Sequence, residues 1–101
     1  MSDAETVFFE YGEDKFEWHG PKAASNWRKH GVTFEEGATI FGDERALWIS
    51  DPDHSDGELR WILYGLSSAN RLLAVVYVER EERFRIINAR RMTREEQEAY
   101  E

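Results

Sequence analysis

Apolar residues recur at helical spacing in the first half of the chain and at strand spacing in the second, with the changeover near Asp43. Gly20 and Pro21 open the first helical stretch. Proline suits the first turn, Ala23, Ala24 and Trp27 share a face, and Gly31 fits the left-handed residue that ends a helix. This spacing predicts a helix from Pro21 to His30. Thr33 followed by Glu36 has the form of a capping box and opens a second helix, with Phe34, Ala38 and Phe41 inward, Ile40 nearby and Gly42 as its end. Gly37 weakens that helix slightly. Beyond Asp43, Ala46 to Ser50 reads as a strand and D-P-D-H-S-D-G as a loop; in a second strand, Leu59 to Leu66, Trp61 and Leu63 alternate with Arg60, Ile62 and Tyr64. Leu72 to Val78 is apolar without alternation, as in a central strand covered on both faces. Arg83 to Ala89 alternates again, with Phe84 and Ile86 on one face and Arg85, Ile87 and Ala89 on the other. Thr93 and Glu96 form a further capping box, opening a short acidic helix. At the start, V-F-F-E-Y and G-E-D-K are compatible with a short strand or hairpin, and residues 1–15 read as an acidic extension ahead of a single domain over 16–101. The expected fold is α+β: two N-terminal helices, a four-stranded antiparallel meander and a short C-terminal helix.

Composition narrows the class. A chain of 101 residues with 41% hydrophobic side chains can bury one core. It has no cysteine, no basic leader ahead of an apolar run and no bilayer-length apolar stretch, so a cytoplasmic protein without membrane contact is expected. Its formal charge of -8 argues against coating nucleic acid, a mode that needs Lys and Arg to displace counterions. The charges are segregated, however. Residues 19–34 hold Lys22, Arg28 and Lys29 with no acid, and the second half is rich in arginine, so a local positive field survives the negative total.

Three groups of residues carry candidate chemistry. Arg28, Lys29 and His30 at a helix C-terminus need no function, since the dipole favours each by about 0.3–1 kcal/mol, yet no nearby acid pairs them. In D-P-D-H-S-D-G-E a calcium loop fails on spacing: counted from Asp51, position six is Asp56 where glycine is needed, and position twelve is Ile62. His19, His30 and His54 have no metal-ligand spacing, and neither a metal nor another cofactor is expected. Arg60, Arg80, Arg85, Arg90 and Arg91 lie on or at the ends of neighbouring strands, and the planar guanidinium fork suits phosphate. The competing reading is surface ion pairs with Glu79, Glu81, Glu82 and the acidic tail.

The run F-E-W-H-G-P-K-A-A-S-N-W-R-K-H-G-V-T-F-E-E-G-A-T-I-F, then D-P-D-H-S-D-G-E, G-L-S-S, V-V-Y-V-E-R and R-I-I-N-A-R-R-M-T-R-E-E, closely resembles the BrnT family over residues 16–101. These are toxins of type II toxin–antitoxin systems, related in fold to RelE ribonucleases. The chain departs from the family's F-E-W-D-P at His19 and Gly20 and ends in an acidic rather than a basic tail. The resemblance implies a RelE-like, metal-independent endoribonuclease that arrests translation. The ribose 2′-hydroxyl attacks the adjacent phosphorus, leaving a cyclic phosphate and a free 5′-hydroxyl. Under it, His54 is the acid or base, histidine titrating near pH ~6.5 when unperturbed. Arg60, Arg80 and Arg85 stabilise the phosphorane, Lys29 and His30 bind the backbone or share proton transfer, and Arg28, Arg90 and Arg91 bind RNA. It also implies a BrnA-like ribbon-helix-helix antitoxin in a two-plus-two complex, with no DNA sequence read by the toxin itself. The alternative is a non-catalytic protein-binding module on the same scaffold. The nuclease reading requires the cations to converge on one groove and not to lie neutralised beneath carboxylates.

Overall fold

Strands, not helices, come first. In the computed structural model, which describes residues 4–51 and 58–101, β1 (Thr6–Tyr11) and β2 (Asp14–His19) form an antiparallel hairpin turned through Gly12 at φ 61°. Then follow α1 (Gly20–His30), α2 (Phe34–Thr39) and a 3-10 turn over Ile40–Gly42. After them come β3 (Leu47–Ser50), β4 (Arg60–Leu66), β5 (Leu72–Arg80), β6 (Arg83–Arg91) and α3 (Arg94–Tyr100). One sheet contains all six strands in the order β1-β2-β6-β5-β4-β3. The meander from β3 to β6 is antiparallel, as its alternation predicts. β2, however, pairs parallel to β6 through Phe16 opposite Phe84 and Glu17 opposite Arg85.

The expected order of two N-terminal helices and then a four-stranded antiparallel meander is therefore wrong. The fold is a six-stranded mixed sheet with helices inserted between strands. The physical reason lies in Phe16 and Trp18. They alternate with Lys15 and Glu17, and both are buried, so β2 earns its place by delivering two aromatic rings to the core. Phe16 meets Phe41 edge-on at 4.9 Å between centroids, and Trp18 meets Phe34 at 5.7 Å.

The helices α1 and α2 cover one face of the sheet. Gly31, at φ 67°, ends α1 with its N–H bonded to Trp27 O. The buried residue of α1 is Asn26; of the face expected to be shared by Ala23, Ala24 and Trp27, Ala23 packs against the core and Trp27 is 55% exposed. Asn26 Nδ2 donates to Ala89 O (2.8 Å) and Val32 O (3.0 Å), while its Oδ1 accepts from Ala89 N (3.2 Å) and Asn88 Nδ2 (3.2 Å). The carboxamide thus takes over hydrogen bonding along β6 where β2 has turned away. α2 lies so close to the sheet that a Cβ on Gly37 would stand 3.1 Å from Val75 Cγ2 and 3.3 Å from Ala89 Cβ.

Thr33 caps α2, accepting from Glu36 N at 3.0 Å. The Glu36 carboxylate does not complete the box; it is taken by Ser67 Oγ (2.7 Å) and by Arg71, which also reaches Gly31 O (3.1 Å). At α3 the box is complete: Thr93 Oγ1 accepts from Glu96 N at 3.2 Å and Thr93 N donates to Glu96 Oε1 at 2.8 Å. Among the described residues no helix is long and apolar enough to cross a membrane.

Candidate active site

Strand alternation gives the sheet two unlike faces. Trp61, Leu63, Val75, Tyr77, Phe84 and Ile86 turn toward α1 and α2. The residues between them form the other face, where the register places Arg60 of β4, Val78 of β5, Arg85 of β6 and Glu17 of β2 in one row across four strands. Arg80, two residues from Val78 along β5, shares that face. Three of the expected catalytic arginines therefore converge around Val78. The expectation that Ala89 shares Arg85's face fails. A register shift opposite Val76 and Tyr77 leaves Ile87 as an extra residue and reverses the alternation beyond Ile86, so Ala89 joins Ile86 in the core.

Each of these arginines meets a carboxylate. Arg80 donates through Nε and Nη2 to both Glu58 oxygens at 3.0 and 3.1 Å, and the pair is open to solvent, with side chains 47% and 39% exposed. Arg85 Nη1 donates to Glu17 Oε2 at 2.7 Å, with both side chains largely covered. Arg60 lies 3.5 Å from Asp51, whose backbone N–H also bonds Arg60 O at 2.8 Å. Arg60 Nε is buried without an acceptor among the described residues. The Arg80 hydrogen bond, aided by the charges of Arg80 and Arg85, holds the Glu58 carboxyl below its ordinary range. The partners are thus Glu17, Asp51 and Glu58, rather than Glu79, Glu81 or Glu82. Sequence reasoning missed them. Glu17 carried a usable signal, since its place between two buried aromatics puts it on the polar face of its strand.

The other expected site residues are dispersed. His54 lies outside the described residues, between Asp51 and Glu58. Lys29 and His30, in the last turn of α1, border a cleft with Lys22, Ser25, Ile87 and Asn88, the last two lying two and three residues beyond Arg85 on β6. Arg28 is exposed on the same helical turn. Arg90 is held bidentately by Glu96 of α3 at 2.8 and 2.9 Å, and Arg91 is exposed where β6 ends.

Guanidinium groups of this kind can bind a phosphate group by exchanging or sharing their carboxylate partners, because a planar fork receives either anion with the same geometry. The comparisons with known proteins agree in direction. No curated protein matches the chain significantly. The crystal structure of the Brucella abortus ribonuclease toxin BrnT superposes with a TM-score of 0.55 at 20% identity, covering 76% of this chain and 94% of that one, a likeness of fold. Residues 18–96 match the profile of the ribonuclease toxin, BrnT, of type II toxin–antitoxin systems. With so much of the chain matched, the chain belongs to the BrnT family of ribonuclease toxins.

Proposed function

We propose that this chain is a metal-independent endoribonuclease that cleaves RNA by attack of a ribose 2′-hydroxyl on the adjacent phosphorus, arrests translation by doing so, and is neutralised by a BrnA-like ribbon-helix-helix antitoxin in a two-plus-two complex. The observation that carries the reading is the convergence of Arg60, Arg80 and Arg85 on one face around Val78. A phosphorane bears more charge on its oxygens than the ground-state phosphodiester, so preorganised cations lower the barrier selectively. In this reading the three arginines bind the phosphate and its transition state, His54 supplies a proton to the leaving oxygen, and Lys29 and His30 hold the strand further along β6. Arg28 and Arg91 add long-range attraction.

The face is open to RNA at the Arg80–Glu58 pair, while Arg85 with Glu17, and Asp51 beside Arg60, are largely covered. Arg80 and Glu58 are exposed, and an exposed ion pair contributes only ~0–1 kcal/mol, less than a phosphate gains from several guanidinium groups. The pairing of all three arginines is nonetheless the observation that favours the second reading, a protein-binding module without catalysis. The two separate on the chemistry of the RNA ends. Incubated in EDTA with purified chain, an RNA oligonucleotide should yield 2′,3′-cyclic phosphate termini, and its 2′-O-methyl counterpart should stay whole. Arg85→Ala should lower the rate by roughly 10²–10³-fold, the usual consequence of removing one transition-state donor, without loss of the circular dichroism signal. Intact RNA at all enzyme concentrations would leave the binding module as the function.

A further inference from the structure

We propose that Glu58 is the general base of the cleavage, its carboxylate accepting the 2′-hydroxyl proton while the Arg80 guanidinium bridges it to the attacked phosphate. The inference rests on the nuclease reading above. Three carboxylates border the arginine row, and their exposure sorts them. The Glu17 side chain, 15% exposed, lies against Arg85, and that of Asp51, 9% exposed, against Arg60. Both are placed to hold a guanidinium in position. Glu58 is the open one, at 39%, and its partner Arg80 is at 47%, so a polymer can reach both members of this pair.

The donor count of Arg80 supplies the geometry. Glu58 occupies Nε and one N–H of Nη2. Guanidinium has five N–H donors in a fixed plane, so three remain for a phosphate oxygen while the carboxylate stays bound. One planar group thus holds the acceptor and the phosphodiester side by side, the separation needed when the 2′-oxygen must reach phosphorus and release its proton together.

The charges around Glu58 come from neighbouring strands. Arg80 on β5 and Arg85 on β6 act on it directly, while Glu17 of β2 lies against Arg85 and Asp51 against Arg60 at the start of β4. In the free chain Arg80 and Arg85 keep the carboxyl ionised below its ordinary range. A bound phosphate offsets both cations, so substrate binding itself makes Glu58 more basic. In the step, the 2′-O–H bond breaks with its proton passing to Glu58, the 2′-O–P bond forms, and the P–O5′ bond breaks. The leaving 5′-oxygen takes its proton from the general acid of the reading above, which is reprotonated from solvent, Glu58 returns its own proton to solvent, and no electrons are gained or lost.

The test measures cleavage of an RNA oligonucleotide in EDTA against pH, together with binding of its uncleavable 2′-O-methyl analogue, for wild type, Glu58→Gln and Glu58→Asp. Glu58→Gln should lower kcat by roughly 10²–10⁴-fold, the usual contribution of a general base, with analogue affinity within about threefold of wild type and an unchanged circular dichroism spectrum. Wild-type kcat/KM should fall at acid pH through the free enzyme's low pKa, and kcat through a higher one in the complex, while Glu58→Gln shows neither limb. Glu58→Asp should recover part of the lost kcat. A Gln variant that cleaves within threefold of wild type, or that loses analogue binding in proportion to its rate, overturns the assignment while leaving the nuclease intact. An inactive wild type overturns both.

Discussion

Asn26 carries more structural consequence than its place on α1 implies. Its amide satisfies both backbone groups of Ala89 and the carbonyl of Val32, joining α1, β6 and the connection into α2. Truncation strands a buried N–H and two buried carbonyls, and each stranded group costs about 1–3 kcal/mol. Asn26→Ala should therefore lower unfolding free energy by about 2–4 kcal/mol in urea melts, with some local relaxation limiting the sum. Asn26→Asp should do no better, because a carboxylate cannot donate to either carbonyl. A midpoint unchanged from wild type would sink this account. Gly37 makes the complementary argument. Alanine is the better helix former by up to about 1 kcal/mol, yet its methyl would press on Val75 and Ala89, both fully buried and unable to yield. Gly37→Ala should destabilise by about 1–3 kcal/mol, the usual cost of overpacking.

Among the elements, α3 depends most visibly on one side chain. Glu96 closes the capping box at Thr93 and grips Arg90 through both oxygens. The Arg90 hydrogen bonds, with the Thr93 N–H, pull its carboxyl from an ordinary 4.5 to about 2 against the opposing effect of burial. A carboxyl that titrates lower when folded stabilises the fold at every pH above its unfolded value, and the gain disappears as pH falls toward the folded one. Glu96→Gln should thus cost about 1–2 kcal/mol at pH 7, as expected for a cap and a partly covered charged pair, and almost nothing at pH 2. Urea titrations of both proteins across that range check it; a difference that stays constant with pH would refute the linkage. The caps at Thr33 and Thr93 and the Gly31 stop were legible in the sequence because each acts within four residues. Glu36 shows the limit. Its spacing from Thr33 announces a box, but Arg71, thirty-five residues away, supplies a stronger partner, and no local pattern reveals which wins. The place of β2 was hidden for the same reason: its alternation is local, its partner is not.

At the scale of the molecule, a total of -8 coexists with a row of arginines on one sheet face. Residue type alone marked those arginines as candidate phosphate binders. Their convergence required the register of β4, β5 and β6, and their neutralising partners required three-dimensional contacts with Glu17, Asp51 and Glu58. With three guanidinium groups contacting phosphate, log kcat/KM against log salt should fall with a slope of about -2, from about 0.7 per contact on single strands. A flat response would show that phosphate contacts are not made there. The parallel pairing of β2 with β6 also fixes the order in which the molecule can be finished. Glu17 is made early and Arg85 late, 68 residues apart in the chain. A nascent polypeptide emerging from the ribosome holds the first hairpin with its docking strand still unmade, and the arginine row has no Arg85 until synthesis is nearly over. If Arg85 acts as proposed, the chain cannot cleave RNA for most of its own birth, and any premature stop before β6 should yield an inactive fragment.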